Sequence, residues 1–182
     1  MRVIAGSAGS LPLKTVPGQD TRPTTDRIKE TLFNVLSPLL ADCAFLDLFA
    51  GSGAIGIEAL SRGASEAVFI EKDRRAAACI QENLIFTKLK ERATILTMDV
   101  RKGLSSLEGR PPFDVIFMDP PYGKGLGEAA LDCLKTSSLC GSRTLVILEE
   151  KRMMDLSFAE KLGFHVEQVR EYKTNKHIFL RK

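Results

Sequence analysis

The sequence predicts an α/β fold in which a mostly parallel sheet carries helices on both faces. Short apolar runs typical of strands alternate with stretches of helical spacing between residues 44 and 151. Strands that alternate with helices in this rhythm indicate βαβ units, whose strands run parallel. At 182 residues, 44% of them hydrophobic, the chain is long enough for one well-buried domain and too short for two.

The apolar runs set the order of the predicted elements. Five of them predict strands, at 44–48, 67–70, 94–98, 114–118 and 144–148. Helical patterns lie between them, at 55–60, 74–88, 101–107 and 126–138. After residue 151, a helix at 155–162 precedes two runs, 163–172 and 176–180, that predict an antiparallel hairpin.

A further helix is predicted upstream, beginning at Pro23-Thr24-Thr25-Asp26. Thr24 or Thr25 can cap its first turn, and apolar residues then recur at helical spacing as far as Leu39. The segment before this helix is rich in glycine and proline. We therefore expect a strand-and-turn appendage at 1–23, followed by one domain at 24–182.

Composition argues against several kinds of site and location. The four cysteines form no CxxC pair and the two histidines lie in strand-like segments, so we predict no metal site and structural histidines. No signal peptide is evident, and no apolar run approaches the about 18 residues of a membrane span. These features favour a reducing cytoplasm. The net charge of +3 is too small to demonstrate nucleic-acid binding.

A glycine loop follows the first strand, where Gly51, Gly53 and Gly56 spell G-x-G-x-x-G. Alone this pattern is weak, and it would fit a dinucleotide-binding fold. Asp47, four residues before Gly51, would repel a diphosphate but attract a ligand that carries an ammonium and a sulfonium. S-adenosylmethionine is such a ligand, and the loop amides can receive its carboxylate.

Acidic residues also follow the next two strands. Glu71 can accept hydrogen bonds from both hydroxyls of a ribose, and Asp99 is positioned to read an adenine amino group. Ligands of open α/β sheets bind outside the carboxyl ends of the strands, which favours these functional interpretations. For Asp73 we prefer the simpler interpretation of a helix cap.

The fourth strand runs directly into Asp119-Pro120-Pro121-Tyr122. The exocyclic amino nitrogen of a base is a poor nucleophile because its lone pair is delocalised into the ring. The Asp119 carboxylate and the Pro120 carbonyl can each accept one amino hydrogen, while Pro121 restricts the preceding backbone and Tyr122 can stack on the base. We therefore predict a catalytic turn for methyl transfer to a base amine, with the target base flipped out of any duplex.

These motifs resemble those of class I S-adenosylmethionine-dependent methyltransferases acting on exocyclic amines. Three further segments are similar to the small bacterial 16S ribosomal RNA guanine-N2 methyltransferases of the D type. They are RVIAG at 2–6, TRPTTDRIKETLFN at 21–34 and YKTNK at 172–176. The resemblance runs nearly end to end. The last segment departs from the family's usual Tyr-Gly-Lys-Thr-like run, so we assign no role to that hairpin.

The resemblance implies a Rossmann-like class I fold, with a seven-stranded mostly parallel sheet and an antiparallel last strand. It implies methylation of 16S rRNA within an assembling or complete small subunit, of the guanine(966)-N2 type, with S-adenosylhomocysteine as the other product. The residues implied to bind the cofactor are Arg22, Thr24, Asp47, Phe49, Gly51, Ser52, Gly53, Glu71, Asp99, Val100 and Asp119. The residues implied to form the catalytic turn are Asp119, Pro120, Pro121 and Tyr122.

Three other functions stay open. A DNA adenine-N6 methyltransferase could use the same turn, although little sequence is left for a target-recognition domain. A nicotinamide-dependent oxidoreductase would use the glycine loop, and a non-catalytic RNA-binding module would retain only the fold. We expect a monomer whose basic appendage, with Arg2 and Lys14, and whose Lys124 contact RNA phosphates.

Overall fold

This computed structural model describes residues 1–16 and 26–182, which contain seven strands and six α-helices. The strands are β1 (Ala44–Asp47), β2 (Glu66–Ile70), β3 (Ala93–Leu96), β4 (Val115–Met118), β5 (Leu145–Lys151), β6 (His165–Glu171) and β7 (Asn175–Arg181). The helices are α1 (Asp26–Leu36), α2 (Ala54–Ser61), α3 (Arg74–Phe86), α4 (Val100–Leu107), α5 (Leu126–Thr136) and α6 (Ser157–Lys161). Two short 3-10 turns lie at Ser37–Leu39 and Lys90–Arg92. None of the helices in these ranges has the length and apolarity needed to cross a membrane.

The strands form one sheet in the order β3-β2-β1-β4-β5-β7-β6. Neighbours from β3 to β5 pair in parallel, whereas β7 is antiparallel to both β5 and β6. The predicted parallel sheet and closing hairpin are therefore confirmed. The chain order reverses between β1 and β4, and the crevice outside the strand ends at such a point is the usual ligand site of open α/β sheets.

The sheet separates two apolar clusters. Successive strand residues point to opposite faces, so Phe45 and Phe117 pack with side chains of α1, α2 and α3. Leu46 and Ile116 pack with side chains of α4, α5 and α6 on the other face. Burial on both faces explains why the central strands are continuous apolar runs rather than alternating ones.

Most predicted boundaries lie within two residues of the observed ones, and the largest shift bears on the site. The predicted end of β5 at 148 is wrong, because antiparallel pairing with β7 continues to Lys151 opposite Asn175. The predicted end of β3 at 98 is also wrong. Its partner β2 ends at Ile70, opposite Leu96, and no ladder carries the strand further.

Residues 1–16 form a turn that packs against α2. The Val3 amide donates to the Leu11 carbonyl at 2.9 Å, and Val3 is fully buried in the same cluster as α1. Glu58 of α2, 0% exposed, accepts hydrogen bonds from the amides of Ile4 at 2.7 Å and Ala5 at 3.0 Å. The described part of the appendage is thus built into the core. The predicted cap residues Thr24 and Thr25 lie outside the described residues.

Candidate active site

A cavity of about 1360 Å³ opens beyond the carboxyl ends of β1 to β5, across the point where the strand order reverses. Sites for a single small molecule usually measure about 300–1000 Å³, so this one has room for a cofactor and a base together. Nine sequence-predicted residues line it, namely Phe49, Gly51, Glu71, Asp99, Val100, Asp119, Pro120, Pro121 and Tyr122. Arg22 and Thr24, also predicted to bind the cofactor, fall outside the described residues.

The glycine loop joins β1 to α2 and presents two different sides. Gly51 has φ +54°, and a Cβ added there would meet nothing within 4 Å, so the loop is open at this point. Gly53 has φ +77°, and a Cβ added there would lie 3.1 Å from Ile80 of α3. Asn83 of α3 holds the carbonyl between them, that of Ser52, at 3.0 Å. The open side at Gly51 faces the cavity, whereas Ser52 and Gly53 do not line it.

Glu71 connects the end of β2 to this loop. One carboxylate oxygen accepts from the Gly51 amide at 2.8 Å, and the other accepts from the Asp73 amide at 2.8 Å. Each oxygen has a further lone pair, so the side chain can still accept hydrogen bonds from ribose hydroxyls. The sequence predicted this acceptor, but it gave no sign that Glu71 also fixes the glycine loop.

Two aspartates cap the helices that follow β2 and β3. Asp73 accepts a hydrogen bond from the Arg75 amide at 2.8 Å, which confirms the predicted helix cap. Asp99 accepts from the Arg101 amide at 2.9 Å and also lines the cavity, as does Val100 beside it. The helix cap is thus observed at Asp99, and binding of an adenine amino group stays a prediction. A carboxylate that caps with one oxygen keeps a second oxygen as an acceptor.

Asp47, at the end of β1, lies beneath the glycine loop rather than on the cavity wall. It is 1% exposed, and its Oδ2 accepts a hydrogen bond from the Gly56 amide at 3.2 Å. Burial raises the pKa of Asp47 to about 7, and hydrogen bonds from the backbone of Gly56 and Phe49 offset the effect only in part. A positive charge in the cavity would favour ionisation of Asp47.

The turn after β4 places Asp119, Pro120, Pro121 and Tyr122 together on the cavity wall. Burial raises the pKa of Asp119 well above its usual value, and the nearby carboxylates of Glu149 and Asp47 raise it further. Asp119 therefore holds a proton more readily than an ordinary aspartate, a property common among functional carboxylates.

The hydroxyl of Tyr122 belongs to a buried polar network centred on Glu149. Its hydroxyl donates to Glu149 at 3.1 Å, and Asn175 donates to the same carboxylate at 2.5 Å. His177 Nε2 lies 2.9 Å from the second Glu149 oxygen, and His177 Nδ1 lies 3.2 Å from the Tyr172 hydroxyl. Burial opposes ionisation of Glu149, but these partners outweigh it and lower its pKa.

Sequence reasoning missed Glu149 and Asn175, although both line the cavity. A signal for Glu149 was available, since it is an acid within the fifth parallel strand, as Glu71 and Asp99 follow the second and third. No comparable signal marks Asn175, because its position depends on the pairing of β5 with β7. His177 is 0% exposed with both ring nitrogens in contact with partners, in agreement with the predicted structural role.

Taken together, these residues fit S-adenosylmethionine. The loop at Gly51 leaves space for a ligand to approach the backbone, Glu71 and Asp99 offer hydrogen-bond acceptors, and Phe49 and Val100 form an apolar part of the cavity wall. The buried carboxylates of Asp47 and Asp119 have raised pKa values that a bound cation would relieve.

Comparison with known proteins identifies the family of this chain. The family described as "Conserved hypothetical protein 95" matches residues 1–180. Ribosomal RNA small subunit methyltransferase D of Haemophilus influenzae is 37% identical over 153 residues, covering 84% of this chain and 79% of that protein. A solved structure of a hypothetical protein from Thermus thermophilus is 31% identical, with a TM-score of 0.84 over 100% of this chain and 99% of that one. The precorrin-6y C5,15-methyltransferase of Geobacter metallireducens, at 18% identity and TM-score 0.72, covers 93% of this chain and 94% of its own and shares the fold alone.

Proposed function

We propose that this chain, which belongs to the conserved hypothetical protein 95 family and to its D-type small-subunit ribosomal RNA methyltransferases, transfers a methyl group from S-adenosylmethionine to the exocyclic N2 of a guanine in 16S rRNA. The observation that carries the proposal is the position of the Asp119–Tyr122 turn, which shares one cavity with the acid-lined glycine loop. Both halves of a methyl transfer could therefore meet across that cavity.

The cofactor half lies at the ends of β1, β2 and β3. Glu71 would accept hydrogen bonds from the ribose and Asp99 from the adenine amino group, while Phe49 and Val100 enclose the ring. The buried carboxylate of Asp47 would favour the cationic end of the ligand over a diphosphate. When bound, S-adenosylmethionine supplies the electrophilic methyl group.

The base half lies at the end of β4. Asp119 and the Pro120 carbonyl would each accept one hydrogen of the guanine amino group, which orients the nitrogen lone pair and opposes its developing charge. Tyr122 would stack on the base. The hydrogen bond from Tyr122 to Glu149 fixes the ring direction before substrate arrives.

Proton removal is the second role proposed for Asp119. The nitrogen becomes more acidic once it carries the new methyl group, and Asp119 is the carboxylate of the turn itself. Its raised pKa suits a group that takes up a proton after the transfer rather than one that stays ionised throughout.

Ribosomal RNA is the substrate that the fold of the described residues favours. Residues 1–16 and 26–182 form one sheet with its covering helices and include no separate domain that could read bases in a DNA groove, so we take specificity to come from a structured substrate. The related protein named above is a small-subunit rRNA methyltransferase, and guanine 966 is the position implied by the resemblance.

The test is transfer of radiolabelled methyl from S-adenosylmethionine to three substrates in parallel. They are small ribosomal subunits from a strain lacking this gene, their deproteinised RNA, and unmethylated duplex DNA. The expected result is label in subunit RNA that digests to N2-methylguanosine and is lost with Asp119→Ala. Label only in DNA, as N6-methyladenine, would replace the proposal with the adenine alternative.

A further inference from the structure

One edge of the cavity is formed by two short segments that we call the lip. They are residues 151–154, where β5 ends, and residues 172–175, the turn between β6 and β7. The Arg152 amide donates to the Thr174 carbonyl at 3.1 Å, and the Lys176 ammonium donates to the Met154 carbonyl at 2.7 Å. Both segments contribute to the cavity wall, through Lys151, Arg152, Met153, Lys173, Thr174 and Asn175.

The lip is basic where the cavity floor is acidic. It carries Lys151, Arg152 and Lys173, and it contains no acidic residue. Three acids adjoin the lip, Glu150, Asp155 and Glu171, and the last of them lies 3.1 Å from Arg152, with both side chains 52% exposed. An ion pair this exposed is weak and can yield to a phosphate. The floor, by contrast, holds the carboxylates of Asp119 and Glu149, which would repel a phosphate backbone but admit a neutral base.

Met153 is a strongly exposed apolar residue of the lip. It is 91% exposed, more than any other large hydrophobic residue of the described ranges. Lys151, two residues before it, places its ammonium 6.0 Å from the centre of the Tyr122 ring. Met153 itself lines the same cavity as Tyr122, on whose ring the target base would stack. Proteins that displace bases from nucleic acids commonly insert Met, Leu or Phe into the stack they open.

We propose that the lip is the RNA-binding surface beside the active site. Arg152 and Lys173 contact phosphates on either side of the target nucleotide, and Met153 packs into the gap left by the flipped base. This proposal rests on the proposed function, since it takes the target base to enter at Tyr122. It differs from the expectation from sequence, in which the basic appendage, with Arg2 and Lys14, and Lys124 contact phosphates; none of these three residues lines the cavity.

The first test is the salt dependence of binding to deproteinised small-subunit RNA from the gene-deleted strain, measured by filter binding with S-adenosylhomocysteine present. Each of Arg152→Gln and Lys173→Gln should make the plot of log affinity against log salt shallower by about one. Two matched controls are Lys14→Gln and Lys135→Gln. Like Arg152, both are exposed bases in ion pairs, with Glu82 and Asp132. They should keep the wild-type slope.

Met153 is tested by the split between KM and kcat for RNA methylation. Met153→Ala should lower kcat several-fold with little change in KM. Without the methionine, the gap that the flipped base leaves in the RNA is no longer filled, and the base can return to it. Met153→Leu should restore kcat. Ile85→Ala, at an exposed position on α3, is the control and should change neither constant.

The outcomes separate the lip from the proposed function. The proposal that the lip binds RNA would be overturned if both lip variants kept the wild-type slope of log affinity against log salt. It would also be overturned if only Lys14→Gln had a shallower slope. If RNA binding depends on the lip but the wild-type protein transfers no methyl group, the lip proposal stands and the proposed function is overturned. Absence of binding by the wild-type protein both to this RNA and to intact small subunits would overturn both proposals. Calorimetric binding of S-adenosylmethionine, unchanged in all variants, verifies that each one is folded.

Discussion

The hydroxyl of Tyr122 donates a 3.1 Å hydrogen bond to Glu149, which ties the aromatic ring of the turn after β4 to the neighbouring strand β5. Glu149 in turn contacts Asn175 and His177 of β7. The antiparallel hairpin of β6 and β7 therefore supports the Tyr122 ring. We propose that the target base stacks on this ring. The ring direction is set by the fold rather than by the turn alone.

Tyr122→Ala and Tyr122→Phe should separate stacking from this hydrogen bond. Loss of the ring removes about 1–3 kcal/mol of stacking, so Tyr122→Ala should lower kcat/KM for RNA roughly 5- to 150-fold. Tyr122→Phe keeps the ring and loses one hydrogen bond, worth about 0.5–1.5 kcal/mol, so it should cost about tenfold or less. Single-turnover methyl transfer measures both, and equal losses in the two variants would argue against stacking.

Glu149→Gln should shift the pH dependence of methyl transfer. After burial, the Glu149 carboxylate is the largest contributor to the raised pKa of Asp119, so its neutralisation lowers that pKa. Asp119 acts as an acceptor when ionised, and activity is lost as the pH falls through its pKa. The acidic limb of the kcat/KM profile should therefore move to lower pH in Glu149→Gln.

Glu150→Gln is the matched control for this shift. Glu150 is the next residue and also raises the pKa of Asp119, but it ranks below both Glu149 and Asp47 as a cause. The acidic limb should move in the same direction and by less. A limb that stays in place in both variants, or that moves to higher pH, would show that Asp119 does not govern it.

The parallel part of the fold could be predicted from the sequence because its strands are buried on both faces. Val115 to Met118 are all buried, and such strands stand out as apolar runs bounded by polar turns. The end of β5 could not be predicted in this way. Glu149 and Glu150 interrupt the apolar run, and only their pairing with His177 and Lys176 keeps them in the sheet.

The same distinction applies to the site. Glu71, Asp99 and Asp119 could be found because parallel strands end together and each acid comes soon after its strand. Glu71 and Asp119 follow β2 and β4 directly, and Asp99 follows the end of β3 at Leu96 after a short gap. Asn175 reaches the site through a non-local antiparallel register, which leaves no local pattern. The burial of Asp47 beneath its own loop was equally hidden, since the sequence indicates an acid before a glycine loop but not which way it points.

The affinity for S-adenosylmethionine should rise with pH up to about 7 and then level off. The pKa of Asp47 is about 7 without ligand, and a bound cation favours the ionised form, so binding at lower pH must release a proton. Calorimetry in buffers of different ionisation enthalpy measures that release. Asp47→Asn should bind more weakly and release fewer protons near pH 7. An affinity independent of pH, with no proton release, would exclude this role for Asp47.

The same pKa has the opposite effect on the ligand-free protein. Between the ordinary carboxyl value of 3.8 and about 7, folded Asp47 keeps a proton that the unfolded chain has lost. Its contribution to the free energy of unfolding should therefore be full at low pH and decline as the pH rises through that window. Urea unfolding of the wild type and of Asp47→Asn across this range measures the difference. The decline should be smaller in the variant, which has no proton to lose at this position.

The buried ion pair between Lys29 and Glu58 should dominate the attachment of residues 1–16. The two groups lie 3.1 Å apart with side chains 1% and 0% exposed. Removing one partner of such a pair costs about 3–5 kcal/mol, because the other charge stays buried. Glu58→Ala should lower the free energy of unfolding in urea by this amount. Lys135→Ala, which breaks the exposed pair with Asp132, should cost about 1 kcal/mol or less.

Replacing both charges separates the ion pair from the backbone contacts of Glu58. The double variant Lys29→Met/Glu58→Met removes both charges of this pair, so part of the lost stability should return. Arg62, 15% exposed and 2.7 Å from Glu58, still loses its carboxylate partner. The amides of Ile4 and Ala5 still lose their acceptor, so recovery should be incomplete and limited proteolysis should cut within residues 1–16. Full recovery with a protease-resistant amino terminus would show that Glu58 serves only to neutralise Lys29.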